Sequence, residues 1–274
     1  MIDSTVKLHN GVEMPRLGLG VFQSREGEEV INAVRFALQH GYRSIDTASI
    51  YQNEVGTGKG ILESGIPRED IFLTSKVWNN QQGYKNTKGA FEQSLNRLQT
   101  DYLDLYLIHW PKGEQSVETW QALEELYDKG KIKAIGLSNF LIHHIEELLP
   151  HTKVKPMVNQ VEFHPELVQP ELITYCKEHG IQQEAWSPLM QGRVIDVPLL
   201  KELAGKYGKT NAQIALRWAL QKGVVVIPKS VHEERIVSNA DVFDFEITGG
   251  DMVKIDALDQ GKRIGPDPNT FGFA

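Results

Sequence analysis

Hydrophobic and polar positions along the chain follow two alternating periods. Short apolar runs of strand length are separated by stretches of about 10–16 residues whose apolar positions recur at helical spacing. The apolar runs predict eight strands, at 17–21, 43–48, 71–78, 102–110, 132–140, 156–163, 181–188 and 224–230. The helical spacing predicts helices at 26–40, 53–64, 86–98, 116–129, 141–149, 170–179, 198–207 with 211–221, and 232–239, plus an extra helix at 249–258. Strands that alternate with helices in this way are typical of parallel β-α units.

The number of units indicates the fold. Eight β-α units close a (β/α)8 barrel, so we expect an α/β fold of the TIM-barrel type, with an open doubly wound sheet as the alternative. Two short alternating runs around Asn10-Gly11 predict a preceding β-hairpin with a two-residue turn, which would serve as a cap or lid. No linker rich in Pro, Gly or Ser divides the chain, which predicts one domain over 1–274. The tail at 264–274 is too rich in Pro and Gly for regular structure.

Composition and charge restrict the class of protein. The 274 residues are 41% hydrophobic and 24% charged, which excludes a disordered chain, a coiled coil and a collagen-like fibre. A net charge of −7 disfavours broad nucleic-acid binding, which needs a basic field. No apolar run approaches the ~18 residues of a membrane span, and the N-terminus lacks a signal-peptide pattern. With the single cysteine, Cys176, these features predict a cytoplasmic protein that binds neither membranes nor nucleic acid.

Most predicted strands are apolar in the body and polar near the C-terminal end. The second, third and fourth strands end in Asp46, Lys76 and His109. The later strands end in Ser138 and Asn139, Asn159 and Gln160, Glu184 to Ser187, and Lys229 and Ser230. In a closed barrel these ends converge on the face where barrel active sites lie, so the one-sided pattern is typical of a barrel enzyme.

Three of these residues and one neighbour, Tyr51, suggest proton-transfer chemistry. A charge near a packed interior is costly unless it is paired, and Asp46 and Lys76 carry opposite charges on adjacent strands. Tyr51 follows Asp46 by five residues, and a nearby ammonium lowers the pKa of a phenol from its reference value near 10. With His109 donating a hydrogen bond to a carbonyl oxygen, the group would form a general acid for a developing alkoxide. The alternative is a structural ion pair that closes the barrel mouth.

Five segments in order resemble the motifs of the aldo-keto reductases. They are GYRSIDTASIYQNE at 41–54, LDLYLIHWP at 103–111, IGLSNF at 135–140, NQVEFHP at 159–165 and IPKS at 227–230. The resemblance covers nearly the whole chain and is strongest to bacterial glyoxal, methylglyoxal and 2,5-diketo-gluconate reductases. It implies an NADPH-dependent carbonyl reductase on a (β/α)8 barrel, a small carbonyl substrate such as methylglyoxal, a detoxification role and a monomer.

The resemblance also implies roles for individual residues. The catalytic tetrad would be Asp46, Tyr51, Lys76 and His109, with hydride passing from nicotinamide C4 to the carbonyl carbon and Tyr51 protonating the oxygen. The residues that resemble cofactor contacts are Ser138, Asn139 and Gln160 for the carboxamide, Trp186 for ring stacking, Ser187 and Leu189 for the pyrophosphate, Lys229, Ser230 and Arg235 for the 2′-phosphate, and Asn239 for adenine. Lys and Arg suit a phosphate dianion. Ser238 stands where many members carry Glu, which leaves the adenine contact open.

The sequence also offers candidates for the substrate pocket and two competing functions. Phe22, Trp78 and Trp110 lie just beyond their strands and would form an aromatic wall beside His109, or simply pack at the rim, and Gln191 would reach the pocket from a later loop. A barrel that uses Lys76 as a Schiff-base nucleophile is one competing function, although that chemistry needs a neutral amine. A nucleotide-sensing module on the same fold is the other.

Other clusters have simpler interpretations. The glycines at 56–60 follow no predicted strand and miss the spacing of a phosphate loop, so we expect a helix there. His143 and His144 point about 100° apart on a helix, as its 3.6-residue turn requires, and are expected to lie on a surface face. Glu162 and His164 end the sixth strand, and a metal site there with Asp46 is disfavoured. No metal is expected.

Overall fold

The structure is a computed structural model that describes residue 2 and residues 4–271. Its inner layer is a sheet of eight parallel strands in sequence order. They are β3 (Leu19–Gly20), β4 (Ser44–Asp46), β5 (Phe72–Val77), β6 (Leu103–Ile108), β7 (Ile132–Ser138), β8 (Val158–Glu162), β9 (Gln182–Trp186) and β10 (Val225–Val226). All residues of β4, β5 and β6 are buried, as expected for strands covered on both faces.

Backbone hydrogen bonds between the first and last strand segments close the sheet. The Gly18 amide donates to the Val226 carbonyl oxygen at 2.9 Å, and the Val226 amide donates to the Arg16 oxygen at 3.0 Å. The Gly20 amide reaches the Pro228 oxygen at 3.3 Å. The predicted barrel is therefore confirmed, and the open doubly wound sheet is excluded. Strand β10 is shorter than predicted because Pro228 has no N–H with which to continue the ladder.

The helices lie outside the strands and match the predicted segments within a few residues. They are α1 (Glu28–Gln39), α2 (Glu54–Ser64), α3 (Tyr84–Leu98), α4 (Glu114–Asp128), α5 (Ile142–Leu148), α6 (Pro170–Glu178), α7 (Pro198–Tyr207), α8 (Asn211–Gln221), α9 (Glu233–Ala240) and α10 (Gly249–Asp256). Helix α1 is an example, because it buries Val30, Val34, Ala37 and Leu38 at spacings of four, three and one. Helix α10 is the predicted extra helix.

The N-terminal hairpin caps the barrel at one end. Strands β1 (Thr5–Lys7) and β2 (Glu13–Pro15) are antiparallel, and Asn10 Nδ2 donates to the Lys133 oxygen at 2.9 Å, near the start of β7. The hairpin therefore covers the end opposite to the polar strand ends. The predicted two-residue turn is wrong, because only Gly11 has a positive φ, and the Gly11 amide bonds to the Leu8 oxygen. That pattern is a type I turn followed by a glycine bulge.

Two further features bear on the site. The tail over 264–271 contains no helix or strand, as predicted, while the remaining tail residues 272–274 lie outside the described part of the chain. Within residues 4–271, no helix is both long enough and apolar enough to cross a membrane.

Candidate active site

Four side chains meet where β4, β5 and β6 end, and we refer to them as the tyrosine cluster: Asp46, Tyr51, Lys76 and His109. Asp46 is the last residue of β4, and Lys76 lies one residue before the end of β5. His109 directly follows β6, and Tyr51 ends a single 3-10 turn that follows β4. The structure thus brings together the residues that the polar strand ends singled out.

Lys76 is the centre of the cluster. Its side chain is fully buried, and Nζ lies 2.6 Å from Asp46 Oδ1, 3.0 Å from the Thr47 carbonyl oxygen and 3.4 Å from Tyr51 Oη. These three acceptors match the three N–H bonds of an ammonium group. Burial lowers the pKa of Lys76, but the attraction of Asp46 and of the Tyr51 oxygen outweighs burial, so the pKa lies above its ordinary value. A neutral amine for Schiff-base chemistry is therefore disfavoured.

Tyr51 holds its proton more tightly than a tyrosine in water. Burial raises the pKa of Tyr51, Lys76 pulls it down, and Asp46 raises it again, with a net value above the ordinary one. The expectation from the sequence was correct for the contribution of Lys76 and wrong for the net direction, because burial outweighs a single ammonium. The Tyr51 hydroxyl is thus protonated at neutral pH and can donate its proton.

His109 faces the same space as a neutral imidazole. Burial, and then the positive charge of Lys76, hold the pKa of His109 well below its usual range. Its ring lies edge-on to Tyr51 and to Trp78, at centroid distances of 5.7 and 5.0 Å. Within residues 4–271, the buried Nδ1 atom of His109 has no hydrogen-bond partner. A neutral ring can donate one N–H hydrogen bond without carrying charge.

Glu184 is a residue of this site that the sequence marked only as a polar strand end. The amide nitrogen of Gln160 donates to Asp46 Oδ2 at 2.8 Å and to Glu184 Oε2 at 2.7 Å, and so bridges the two buried carboxyl groups. Burial, and then the charge of Asp46, raise the pKa of Glu184 to about 8. The signal in the sequence was an acid inside a strand otherwise packed on the core.

Three residues beside the cluster form a polar and aromatic patch. Trp186 Nε1 donates to Asn139 Oδ1 at 2.8 Å. Asn139 Nδ2 donates in turn to Ser138 Oγ at 3.1 Å and to the His109 carbonyl oxygen at 3.0 Å. Trp186 is only partly buried, so one part of its ring remains open to a ligand. Ser187 and Leu189 follow in the loop after β9 and are also partly buried.

A second set of predicted contacts lies after β10. Lys229 and Arg235 are exposed, and we call this pair the basic rim. Neither side chain forms a hydrogen bond or an ion pair with any described residue of the chain. Ser230 and Asn239, which are close to this pair in the sequence, are buried. Ser230 Oγ accepts a hydrogen bond at 3.1 Å from the amide of His232, the residue just before α9. Ser238 is partly buried in α9, and Gln191 is exposed.

Aromatic side chains surround the mouth of the cluster. The ring of Phe22, which is 52% exposed, lies 4.9 Å from that of Tyr51. Trp110 is buried and packs on Phe271 of the tail at 4.5 Å, and Trp78 lies 6.1 Å from the same ring. The pattern of strands and helices gave no indication that the tail reaches this point.

The surface face expected for His143 and His144 is wrong for His144, which is buried and accepts a hydrogen bond from the Leu141 amide at 3.2 Å through Nδ1, whereas His143 is exposed. Gly56, Gly58 and Gly60 lie inside α2, not in a phosphate-binding loop. Glu162 and His164 are buried and 3.1 Å apart, but among residues 4–271 no group of three or more possible metal ligands is found.

Comparison with known proteins gives consistent matches. The model of the Aldo/keto reductase family matches residues 16–260. Glyoxal reductase of Bacillus subtilis is 60% identical over 272 residues and 99% of both chains. Methylglyoxal reductase DkgA of Escherichia coli K12 is 49% identical over 273 residues and 98% of both chains. The crystal structure of a Gox0644 mutant in complex with NADPH superposes with a TM-score of 0.93 at 43% identity, covering 98% of this chain and 99% of that one.

Proposed function

Because the chain belongs to the aldo/keto reductase family, we propose that it reduces small aldehydes and ketones to alcohols with NADPH. The observation that carries the proposal is the buried Asp46–Lys76–Tyr51 chain, which ends on a protonated phenol beside a neutral imidazole. The names of the Bacillus and Escherichia relatives support glyoxal and methylglyoxal as substrates. Diketo acids are the larger substrates that the resemblance implies.

The residues present fit a phosphorylated nicotinamide dinucleotide. The half-buried ring of Trp186 offers a surface for stacking, and Ser138 and Asn139 offer polar atoms next to it. Among residues 4–271 the Gln160 side-chain oxygen accepts no hydrogen bond, so it can accept one from a carboxamide. The two cations of the basic rim suit the 2′-phosphate of NADPH. The similar Gox0644 mutant was solved in complex with NADPH, which supports this choice of cofactor. When bound, the nicotinamide supplies a hydride.

Tyr51 holds the proton that the new alkoxide needs. An alkoxide is far more basic than a phenolate, so transfer from Tyr51 Oη is favourable even with a raised pKa. Lys76 then stabilises the phenolate through its 3.4 Å contact, and Asp46 keeps Lys76 charged and oriented. Because these groups are already in place, little reorganisation accompanies the transfer.

His109 orients the carbonyl group. Because its pKa is low, its imidazole is neutral and donates a hydrogen bond to the carbonyl oxygen without competing as an acid. The rings of Phe22 and Trp78 lie beside Tyr51 and His109, and with Trp110 they would offer an apolar wall to the carbonyl compound.

The experiment is a Tyr51→Phe substitution assayed by NADPH consumption with glyoxal, methylglyoxal and a diketo acid. Loss of the proton donor is expected to lower kcat by about 10²–10⁴-fold and to leave the Kd for NADPH nearly unchanged. Tyr175→Phe is the matched control, since no described residue hydrogen-bonds to the Tyr175 hydroxyl.

Two outcomes contradict the proposal. Full activity of Tyr51→Phe would exclude Tyr51 as the acid. A wild-type chain that binds NADPH but turns over none of the carbonyl compounds would favour the nucleotide-sensing module.

A further inference from the structure

The tail of the chain is held against the loop that follows β8. The amides of Gln260 and Lys262 both donate to the Glu166 carbonyl oxygen at 3.1 Å. The Val168 amide donates to Asp259 Oδ1 at 3.3 Å. Residues about 90 positions apart in sequence are therefore joined by two backbone hydrogen bonds and one backbone to side-chain hydrogen bond, although neither segment is a strand there.

Glu162, the last residue of β8, binds the tail where this junction ends. Its side chain is fully buried, and Oε1 accepts from the Ile264 amide at 2.6 Å and from the Gly265 amide at 3.2 Å. His164 Nε2 lies 3.1 Å from the same oxygen, whereas the nearest guanidinium nitrogen, on Arg263, lies 3.9 Å from the carboxylate. A buried carboxylate needs hydrogen-bond donors, and the tail amides supply them.

The tail position that Glu162 holds lies directly against Trp186. A Cβ atom added to Gly265 would lie 3.1 Å from Cζ3 and 3.3 Å from Cζ2 of Trp186, and it would overlap Cη2. Only a glycine fits this contact without a shift of the indole ring. The nitrogen side of the same ring is held by Asn139. Trp186 is therefore fixed at two ends, by a side-chain amide and by the tail backbone.

We propose that Glu162 and Gly265 are positioning residues, which set the orientation of the Trp186 ring for the nicotinamide by anchoring the tail against it. The inference rests on the proposed function for the identity of the ligand. The anchoring of the tail is a property of the chain alone. Among residues 4–271, Glu162 forms no hydrogen bond or ion pair with the four residues of the tyrosine cluster, so it acts through the tail and Trp186.

The first test measures the anchor without any nucleotide. Trypsin cleaves after Lys262 and Arg263, directly before the two amides that Glu162 binds. Glu162→Gln removes the charge of the side chain and part of its capacity to accept hydrogen bonds. Trypsin is therefore expected to release the tail peptide about tenfold faster, as measured by mass spectrometry. Glu171→Gln is the matched control, because Glu171 lies exposed on α6. Cleavage at the wild-type rate would overturn the anchoring.

The second test measures the orientation of Trp186. Gly265→Ala adds a methyl group that overlaps the present position of the Trp186 ring, so the ring must move. The Kd for NADPH, measured by quenching of tryptophan fluorescence, is expected to rise about tenfold. Gly250→Ala is the matched control, since a Cβ there meets no atom within 4 Å. Circular dichroism checks that both variants fold, and if Glu162→Gln does not, Gly265→Ala decides.

The outcomes separate this inference from the proposed function. If wild type binds NADPH and Gly265→Ala binds it as tightly as Gly250→Ala does, the positioning role is wrong and the proposed function stands. If wild type binds no NADPH, the proposed function and the positioning role both fail, and the protease result then bears on the anchor alone.

Discussion

Lys76 is buried and bound to three acceptors, whereas Lys229, at the rim of the same barrel, is exposed and has no ion-pair partner among residues 4–271. The two cations differ in what the fold has already done for them. Lys76 is desolvated and oriented before any ligand arrives, so its field acts on Tyr51 without reorganisation. Lys229 remains hydrated, and its interaction energy is realised only when an anion binds.

The difference implies that the tyrosine cluster and the basic rim respond differently to substitution. Changes in the tyrosine cluster affect folding stability and chemistry together, because a buried charge left without its partner is costly. Changes in the basic rim affect ligand binding with little effect on folding, because exposed side chains contribute little to stability.

The largest expected effect is that of Lys76→Met. The substitution leaves Asp46 buried without its cation and Tyr51 without phenolate stabilisation. The free energy of unfolding is expected to fall by about 3–5 kcal/mol, and kcat by about 10³-fold or more. Chemical denaturation and NADPH consumption measure the two quantities.

A double variant separates structure from chemistry. Asp46→Asn combined with Lys76→Met removes both charges, so most of the stability is expected to return while activity stays lost. Recovery of activity in the double variant would mean that the pair is a structural ion pair only.

The next effect in size concerns the basic rim. Lys229→Ala with Arg235→Ala removes the two cations that we propose contact a 2′-phosphate, so the Kd for NADPH is expected to rise ~100-fold while the Kd for NADH changes little. The free energy of unfolding should stay within ~0.5 kcal/mol of wild type. The control is Lys177→Ala with Lys201→Ala, two exposed lysines on α6 and α7. Equal losses for both cofactors would refute the phosphate assignment.

The positions of the tyrosine cluster could be predicted from the sequence because a barrel brings the C-terminal ends of its strands together on one face. Strand ends converge, so Asp46, Lys76 and His109 had to lie near one another once eight strands were recognised. The direction of the pKa shift of Tyr51 could not be predicted in the same way. It depends on the balance between burial and nearby charges, which only the packed structure gives.

The tail shows a different limit of sequence reasoning. The sequence raised Glu162 only as a disfavoured metal ligand, whereas besides His164 it binds two backbone amides about 100 residues later in the chain. Backbone donors carry no residue signature, so no periodicity or motif could have revealed this contact. The bridge from Asp46 through Gln160 to Glu184 was missed for a related reason, since side-chain rotamers decide which amide faces which acid.

The smallest effect is expected beside the tyrosine cluster, from Glu184→Gln. The pKa of the Glu184 carboxyl rises on folding from 4.5 to about 8, so the folded state binds the extra proton and wild-type stability falls as pH rises between these values. Above pH 8 the ionised Glu184 also raises the pKa of Tyr51, which weakens it as an acid, so kcat of the wild type should fall there. Glu184→Gln should lose both pH dependences, with kcat changing less than about tenfold at neutral pH.

Chemical denaturation at pH 6 and 9 measures the stability, and the pH profile of kcat measures the effect on the reaction. Glu178→Gln, on the exposed side of α6, is the control. An unchanged kcat profile in Glu184→Gln would show that the cluster is electrostatically isolated from Glu184, and that its properties depend on Asp46 and Lys76 alone.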